Sequence, residues 1–397
     1  MTDELRLRAF ANFPQVEALD HTMVRNTFCD PMGLEDFWFH WYLKGFVDQG
    51  QGKVKCLIGR PGSGKTHFLR HLGFRAQEAG YVTIFLDAGR DRIAAIDELY
   101  KLIASQVDWM GLIEGALHRV VADELGYPEF GQPLEEFLGW GEGTRGLAPN
   151  MLRRDLREAI DRFLARCDLA ADFSSVVRSA MNGKMLGELG TAVAIEWLLG
   201  HKLGVRDLKP LGVRGGINRR NARAILASLS TWVHYVGHQG LLVAVDNIGV
   251  MALTSRVDGR PYYTRGQRDQ AYEMIRELID DSALTPYFML VMAGNQSDVT
   301  NTRSGFVSYP ALWVRLQNEI HSSEPNLFLD LLDLDQLWEY GADHTETLLH
   351  DWSQVSILFG EETGQEGAPT TMGLEWGLPR RLVATTLQQR IPQGGEI

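Results

Sequence analysis

The sequence predicts an α/β fold, in which helices flank a parallel sheet and a large helical segment interrupts it. Three observations predict this fold. A glycine-rich turn joins a strand pattern to a helical pattern between residues 54 and 76, and two more apolar runs, 240–245 and 287–293, each lead into polar residues. Between residues 93 and 237 the apolar residues recur at helical spacing. Because strands that alternate with helices pair in parallel, we expect one parallel sheet.

The glycine-rich turn, residues 59–66, matches the pattern G-x-x-x-x-G-K-[ST] at every fixed position. Its glycines let consecutive N–H groups turn inward around a phosphate, and the following helix points its positive end at the same anion. Lys65 is expected on the β- and γ-phosphates and Thr66 on Mg²⁺. The turn therefore predicts a P-loop NTPase with ATP and Mg²⁺ as cofactors. The expected nucleotide-binding residues are Gly59, Pro61, Gly62, Ser63, Gly64, Lys65, Thr66 and His67.

The apolar run 240–245 ends in Asp246 and predicts the second nucleotide-binding motif. A buried strand would deliver this carboxylate to Mg²⁺, so Thr66 and Asp246 are the expected metal ligands. Many ATPases of this class place a glutamate next, where it polarises the attacking water, but this chain has Asn247. An amide cannot accept the proton, so we expect weak hydrolysis unless another carboxylate substitutes.

Two more strand ends carry candidate site residues. The run 287–293 leads to Asn295, and in ATPases of the AAA+ type a polar residue at this place senses the γ-phosphate. The run 81–86 ends at Asp87, a candidate outer carboxylate of the metal site. Asn and Asp are also common in turns that follow strands, and that alternative stays open for both. The predicted catalytic residues are Lys65, Asp246, Asn247 and Asn295.

Residues 201–223 form a basic stretch inside the predicted helical insertion. It could contact a nucleic-acid backbone, reach the phosphates of a neighbouring subunit, or be a solvated surface. The candidate DNA contacts are Arg214, Arg219, Arg220 and Arg223. Arg303 and Arg315 are candidates for an arginine finger supplied to a neighbour in a homo-oligomer, and surface placement is the alternative for each.

The pattern divides the 397 residues into four parts. Residues 1–92 hold a lead-in and the first part of the core, 93–237 the helical insertion, 238–335 the second part of the core, and 336–397 a small C-terminal helical lid in which Arg380 could touch the γ-phosphate. The aromatic-rich segment 35–48 predicts a helix that either packs in the core or stacks on adenine.

Two local predictions concern segments outside the motifs. Residues 139–149 contain four glycines and indicate a loop between helices. Residues 327–332 are rich in leucine and predict the last strand of the sheet.

Composition excludes several classes of protein. Hydrophobic residues make up 45% and charged residues 23%, the balance of a globular chain, and a net charge of −12 argues against non-specific attraction to DNA. No apolar run is long enough for a membrane span and the first residues are charged, so we expect a cytosolic protein. The three cysteines are not at disulfide or zinc spacing.

Together the motifs resemble the P-loop ATP-binding proteins of bacteriophage-exclusion (BREX) and related methylation-associated defence systems. The likeness runs from about residue 52 to 382 and is carried by residues 62–72, 196–200, 211–213, 240–246 and 272–280. The resemblance implies an AAA+-like ATPase that works beside a methyltransferase and other large subunits to block phage. Members of this family commonly have an acidic residue where this chain has Asn247, so the resemblance implies ATP binding more directly than hydrolysis.

Two functions follow as hypotheses. The first is an ATP-binding component of a BREX-like system, in which ATP binding and slow hydrolysis gate assembly with partner proteins or DNA. The second is a DNA-engaging loader that resembles replication-initiation ATPases and uses the basic stretch.

Overall fold

The structure, a computed structural model, describes residues 21, 24–25, 28–127, 134–186, 190–254, 259–317, 325–340, 377 and 379. Five strands form one sheet in the order β2-β3-β4-β1-β5, and every neighbouring pair is parallel. The strands are β1 (Gly52–Gly59), β2 (Val82–Asp87), β3 (Leu241–Asp246), β4 (Phe288–Asn295) and β5 (Leu331–Asp333). The predicted parallel sheet flanked by helices is therefore confirmed.

The central strands are buried on both faces, which explains why they appear in the sequence as unbroken apolar runs. Along β4, Leu290 and Met292 pack into one core, whereas Met289 and Val291 pack into the core on the opposite face. Successive side chains of a strand point to opposite faces of the sheet. When both faces are buried, every residue of the strand must therefore be apolar. Helices cover each face.

Two helices flank β1 in the sequence: α1 (Leu34–Phe37), which continues as a π-helical segment (Trp38–Val47), and α2 (Lys65–Glu78), which follows the glycine-rich turn. The predicted aromatic helix is thus confirmed. Trp38 and Tyr42 are buried in the core that also holds Phe68 of α2, whereas Trp41 is 59% exposed. The buried aromatic side chains of this helical segment therefore pack in the core, which is one of the two roles predicted for them beside stacking on adenine.

The described residues between β2 and β3 are helical and contain no strand. Their helices are α3 (Ile96–Gln106), α4 (Trp109–Arg119), α5 (Leu134–Arg145), α6 (Pro149–Arg166), α7 (Ala171–Leu186), α8 (Thr191–Leu198), α9 (Val205–Leu211) and α10 (Ala222–Val236), with a π-helical turn at Val120–Glu124. The apolar stripes of α3 and α6 are buried, including Tyr100 and Phe163. These helices share one continuous core with one face of the sheet, so the sheet and the helical segment pack together.

The loop predicted for residues 139–149 is wrong over most of its length, because α5 runs to Arg145. The glycines serve helix packing there instead of a turn. A Cβ on Gly141 would lie 2.2 Å from the buried Leu152 of α6, so only glycine allows the two helices to approach this closely. The chain leaves the helix at Gly146, which has a φ of +64°.

The predicted last strand, residues 327–332, is also displaced, since β5 spans only Leu331–Asp333. Lys55 of β1 is fully buried, and its ammonium donates to the carbonyls of Phe328 and Leu329 at 2.7 and 2.8 Å and to the Tyr42 hydroxyl at 2.8 Å. Burial lowers the pKa of Lys55 to about 7. Residues 328 and 329 are thus held by a lysine side chain, although the sequence predicted that they pair as part of a strand.

The remaining helices are α11 (Arg265–Asp280), α12 (Gln296–Val299), α13 (Pro310–Leu316) and α14 (Leu334–Tyr340), with 3₁₀ turns at Pro31–Gly33, Ile248–Ala252, Ser282–Leu284 and Phe306–Ser308. Of the predicted C-terminal lid, the structure describes residues 336–340, Gly377 and Pro379. Arg380 lies outside the described residues.

Within the described ranges, none of the helices has the length and apolar character needed to cross a membrane.

Two glycines on α5 test the packing of this helix. Gly139 is exposed with open space around its Cα, so Gly139→Ala should stabilise the protein by about 0.5–1 kcal/mol through helix propensity. Gly141→Ala should destabilise it by about 1–3 kcal/mol because Leu152 must move within the core. Urea unfolding of both variants measures the difference. Equal effects of the two substitutions would contradict the packing of α5 on α6.

Candidate functional site

Polar side chains end four of the five strands, and the glycine-rich turn follows the fifth. Asp87, Asp246, Asn295 and Asp333 are the last residues of β2, β3, β4 and β5, and Gly59 is the last residue of β1. Because all five strands are parallel, these residues meet at one edge of the sheet. Ligands of open α/β sheets bind beyond this edge, so it is the candidate site.

The glycine-rich turn has the backbone that its sequence predicts. Gly64, directly before α2, has a φ of +96°, a conformation that side-chain-bearing residues rarely adopt. At Gly59 a Cβ would lie 2.5 Å from the Ser63 hydroxyl, so the start of the turn has no room for a larger residue. The turn is a backbone cradle at the N-terminus of a 14-residue helix, where N–H groups and the helix dipole favour an anion.

The Lys65 ammonium lies inside this cradle and is held only by neutral groups. It donates to the carbonyls of Gly59 and Arg60 at 3.0 and 2.8 Å and to the Ser63 hydroxyl at 3.3 Å. Burial lowers the pKa of Lys65 to about 8, although several carboxylates at longer range, Asp246 first among them, act in the opposite direction. A buried cation without an anion in contact fits a site that receives phosphate.

Thr66 and Asp246 join the two predicted motifs. The Thr66 hydroxyl donates to Oδ2 of Asp246 at 2.5 Å, although the residues come from α2 and β3. Burial raises the pKa of the Asp246 carboxyl, while the bonds from Thr66 and from the Asn247 N–H, at 2.7 Å, lower it. A hydroxyl and a carboxylate are hard oxygen ligands of the kind Mg²⁺ prefers.

The described residues contain no group of three or more His, Cys, Asp or Glu side chains placed to hold a metal. This fits Mg²⁺, which proteins bind through one or two carboxylates together with waters and substrate phosphates. The Thr66–Asp246 pair therefore suits a metal that arrives with a nucleotide.

Asn247 takes a left-handed conformation, with φ 57° and ψ 30°. Asn tolerates this region better than most residues. Its Nδ2 donates to Oδ2 of Asp87 at 2.9 Å, and Oδ1 of Asp87 accepts from the Gly89 N–H at 2.7 Å. Asp87 therefore shapes its own turn, as one of its two sequence interpretations predicts, and it also bonds the residue that follows β3.

Asn295, the predicted γ-phosphate sensor, is the last residue of β4. Gly59 and Asn295 are register partners in β1 and β4, so the amide is next to the start of the cradle. Its Nδ2 lies 3.3 Å from Oδ2 of Asp298, and the neighbouring Gln296 donates to Asp333 at 2.7 Å. Burial raises the pKa of Asp333 to about 6.

Sequence reasoning missed Gln296, Asp298 and Asp333. Asp333 follows an apolar run, as Asp246 does, and this signal could have found it. Gln296 and Asp298 lie within three residues of Asn295, but nothing in the local pattern indicates which of these polar residues face the cradle.

Helix α14 contacts the cradle, which the sequence did not indicate. The buried carboxylate of Asp335 accepts from the Arg60 N–H at 2.5 Å and lies 3.3 Å from the Arg60 guanidinium. The indole of Trp338 donates to the Ser63 carbonyl at 3.0 Å. The Gly377 N–H donates to the Pro61 carbonyl at 3.0 Å. Residues from the C-terminal part of the chain therefore contact the cradle at Arg60, Pro61 and Ser63.

The ring of His67, a predicted nucleotide-binding residue, lies with Nε2 2.9 Å from the carbonyl of Val24 in the lead-in. Burial lowers the pKa of this imidazole. Phe28 of the lead-in also stacks on His71 of α2, with ring centroids 3.9 Å apart. The contacts described for His67 thus connect α2 to the lead-in.

The basic stretch is partly neutralised within the protein. Arg223 pairs with Glu277 and, at 2.5 Å, with Asp281, and both acids belong to α11 or directly follow it. Arg219 lies 3.7 Å from Asp97, and Arg214 and Arg220 are exposed. The charge that remains for an external phosphate is smaller than the sequence suggested.

The two candidate arginine fingers differ. The Arg315 side chain pairs with Asp280 of α11 and donates to the Ala311 carbonyl at 2.5 Å, so it ties α13 to α11. Arg303 is an exposed residue in the turn after α12.

The fold and the site define the class of protein. A glycine-rich cradle with its lysine lies at the carboxyl edge of a parallel sheet, and an aspartate from a second buried strand reaches the threonine that follows the lysine. This arrangement is consistent with a P-loop NTPase.

A comparison with protein families gives the second step. Residues 45–341, about three quarters of the chain, match the family described as BREX system ATP-binding protein BrxC/D. The protein belongs to this family, whose members are ATP-binding components of BREX antiphage defence systems. The resemblance drawn from the motifs is thus confirmed. No curated protein and no solved structure matches the chain.

The lowered pKa of Lys65 predicts how nucleotide affinity depends on pH. Phosphate binds the ammonium form, so affinity should be constant below about pH 8 and fall by up to about tenfold per pH unit above it. Isothermal titration of ATP between about pH 7 and pH 9.5 measures this. Lys65→Arg is the matched control. Its guanidinium stays charged throughout this range, so the ATP affinity of the variant should not vary with pH. A flat profile for the wild type would contradict the assignment of Lys65.

Proposed function

We propose that this protein is a cytosolic, AAA+-like ATP-binding component of a BREX system, whose nucleotide state gates its assembly with partner proteins. The observation that carries the proposal is the contact between Thr66 and Asp246, which brings both nucleotide-binding motifs together at the cradle. Family membership supports ATP as the nucleotide. Magnesium is proposed from the chemistry of these two side chains.

Each residue of the cradle would have a distinct role. The N–H groups of the turn and the start of α2 would surround the phosphates, and the Lys65 ammonium would leave the Gly59 and Arg60 carbonyls to bind them. Thr66 and Asp246 would hold Mg²⁺, which neutralises charge on the phosphate oxygens when it is bound. Asn295, beside Gly59 in the sheet, would hydrogen-bond the γ-phosphate.

Hydrolysis at this site is proposed to be slow. Position 247 carries an amide whose Nδ2 is already donated to Asp87, and an amide does not accept a proton. Positioned general bases contribute roughly 10²–10⁴ in rate, so hydrolysis without a base at position 247, or with the proton taken by another carboxylate, would be slow. A nucleotide that persists suits a switch better than a motor.

The switch would act through α14. Arg60, Ser63 and Pro61 of the cradle contact Asp335, Trp338 and Gly377 respectively. The Lys65 ammonium donates to the Gly59 and Arg60 carbonyls in this structure. When it binds phosphate instead, these carbonyls would lose their donor and the turn would reorganise. Any such change would reach α14 directly. The C-terminal part of the chain would thus report nucleotide state to partner proteins, among them methyltransferase or large ATPase subunits.

Removal of the Asp246 charge should separate magnesium from nucleotide binding. In Asp246→Asn the amide oxygen can accept from the Asn247 N–H and the amide NH₂ can donate to the Thr66 hydroxyl, so the fold should remain. The increase in ATP affinity caused by Mg²⁺ should fall by at least about tenfold. Titration of ATP with Mg²⁺ and with EDTA measures the difference. Asp333→Asn, at the end of β5 on the other side of β1, should keep the Mg²⁺ effect. An unchanged Mg²⁺ effect in Asp246→Asn would refute the metal assignment.

Nucleotide binding should change the protection of α14. We expect ATP and Mg²⁺ to alter amide hydrogen exchange in residues 334–340, because this helix contacts the cradle through Asp335 and Trp338. Trp338→Phe keeps most of the buried ring and removes its N–H donor, so it should weaken this response while ATP still binds. If the rate of amide hydrogen exchange in α14 of the wild type is the same with and without ATP, the proposed switch is contradicted.

A further inference from the structure

We propose that Asp87 is a catalytic carboxylate of this site and accepts a proton from the water that attacks ATP, the task for which position 247 lacks a glutamate. This inference rests on the proposed function, since it assigns a residue to ATP hydrolysis at the same cradle. Three observations carry it: the place of Asp87 in the sheet, the free acceptor capacity of its carboxylate, and the way Asn247 holds it.

The sheet places Asp87 beside the proposed metal ligand. Strands β2 and β3 pair in parallel, and Asp87 and Asp246 are register partners at their ends. After burial, which is the largest cause, the negative charge of Asp87 also raises the pKa of the Asp246 carboxyl, so the two carboxylates interact electrostatically. Asp87 is thus one strand away from the Thr66–Asp246 pair and on the same edge of the sheet.

The carboxylate of Asp87 keeps acceptor capacity. Its Oδ1 accepts from the Gly89 N–H at 2.7 Å and its Oδ2 from Asn247 at 2.9 Å. Each carboxylate oxygen offers two lone pairs, so both can also accept from a water. Across the described ranges no arginine, lysine or histidine forms an ion pair with Asp87. A half-buried carboxylate without a cationic partner is suited to accept a proton.

Asn247 orients this carboxylate. Its left-handed backbone directs the N–H to Asp246 at 2.7 Å and the side-chain Nδ2 to Asp87 at 2.9 Å, so one residue fixes both acids. An amide serves this purpose better than a glutamate would, because a second carboxylate at position 247 would repel Asp87. An asparagine at position 247 therefore suits a site whose carboxylate comes from the end of β2.

Two other carboxylates near the cradle are less well placed. Asp333 ends β5, which pairs with the opposite side of β1 from β4, and it accepts from Gln296. Asp298 belongs to α12 and pairs with Asn295. Neither is a register partner of Asp246 in the sheet, as Asp87 is.

The water oxygen forms a bond to the γ-phosphorus, and the bond from that phosphorus to the β,γ-bridging oxygen breaks, with its electron pair leaving on ADP. Asp87 takes the proton of the water and later releases it to solvent. ATP and water thus give ADP, inorganic phosphate and a proton.

Single-turnover hydrolysis by the full chain with Mg²⁺ tests the inference. Asp87→Asn can keep the bond from the Gly89 N–H through its amide oxygen and can donate its own NH₂ to Asn247 once that amide turns its oxygen toward position 87. It cannot take a proton, so the rate should fall by about 100-fold while ATP affinity stays within about twofold. Asp91→Asn is the matched control: it removes the same charge from the same turn, where Asp91 accepts from the Asp87 N–H. Both its rate and its affinity should stay within about twofold of the wild type.

A charge swap separates catalysis from a purely structural role. In the double variant D87N/N247D the hydrogen bond is retained in reverse, and the carboxylate moves to position 247. We expect this variant to recover hydrolysis to within about tenfold of the wild type. A residue that only shapes the turn would give no such recovery.

Three results would overturn the inference while leaving ATP binding intact: an unchanged rate in Asp87→Asn, a large loss in Asp298→Asn instead, or wild-type hydrolysis no faster than that of free ATP. Failure of the wild-type chain to bind ATP in the accompanying titration would overturn the proposed function itself, so the two failures are distinguishable.

Discussion

The hydrogen bond between Thr66 and Asp246 is the contact on which the site depends. It joins the first turn of α2 to the end of β3, two elements separated in the chain by the whole helical segment. Only a fold that returns β3 to the sheet beside β4, itself paired with β1, can make this contact. The cores on the two faces of the sheet hold these strands in place. Because the strands are parallel, the polar residues at their carboxyl ends lie at the same edge of the sheet.

Much of this could be predicted from the sequence because the signals are local. Buried parallel strands leave unbroken apolar runs, and the phosphate cradle needs glycines at fixed spacing, so β1, β3 and β4 and the residues 59–66 were recognisable. The errors arose where distant residues decide the structure. The glycine-rich segment is helical and packs through Gly141 against Leu152, a residue of the next helix. Before β5, the Lys55 ammonium binds the carbonyls of Phe328 and Leu329.

The pairing of amides with carboxylates around the cradle was also beyond the sequence. Asn247 bonds Asp87, Asn295 lies at bonding distance from Asp298, and Gln296 bonds Asp333. Two of these pairs join different strand ends, so register and strand order decide them. Although burial lowers the pKa of Lys65, the acids near the cradle raise it and so favour its ammonium form, the form that binds phosphate.

A structure of the protein with Mg²⁺ and a non-hydrolysable ATP analogue tests the central claim most directly. We expect the metal between Thr66 and Asp246, in place of their direct hydrogen bond, and the Lys65 ammonium on the phosphates instead of on the Gly59 and Arg60 carbonyls. A nucleotide bound elsewhere, or a cradle in which Lys65 and the Thr66–Asp246 bond are unchanged, would contradict the account.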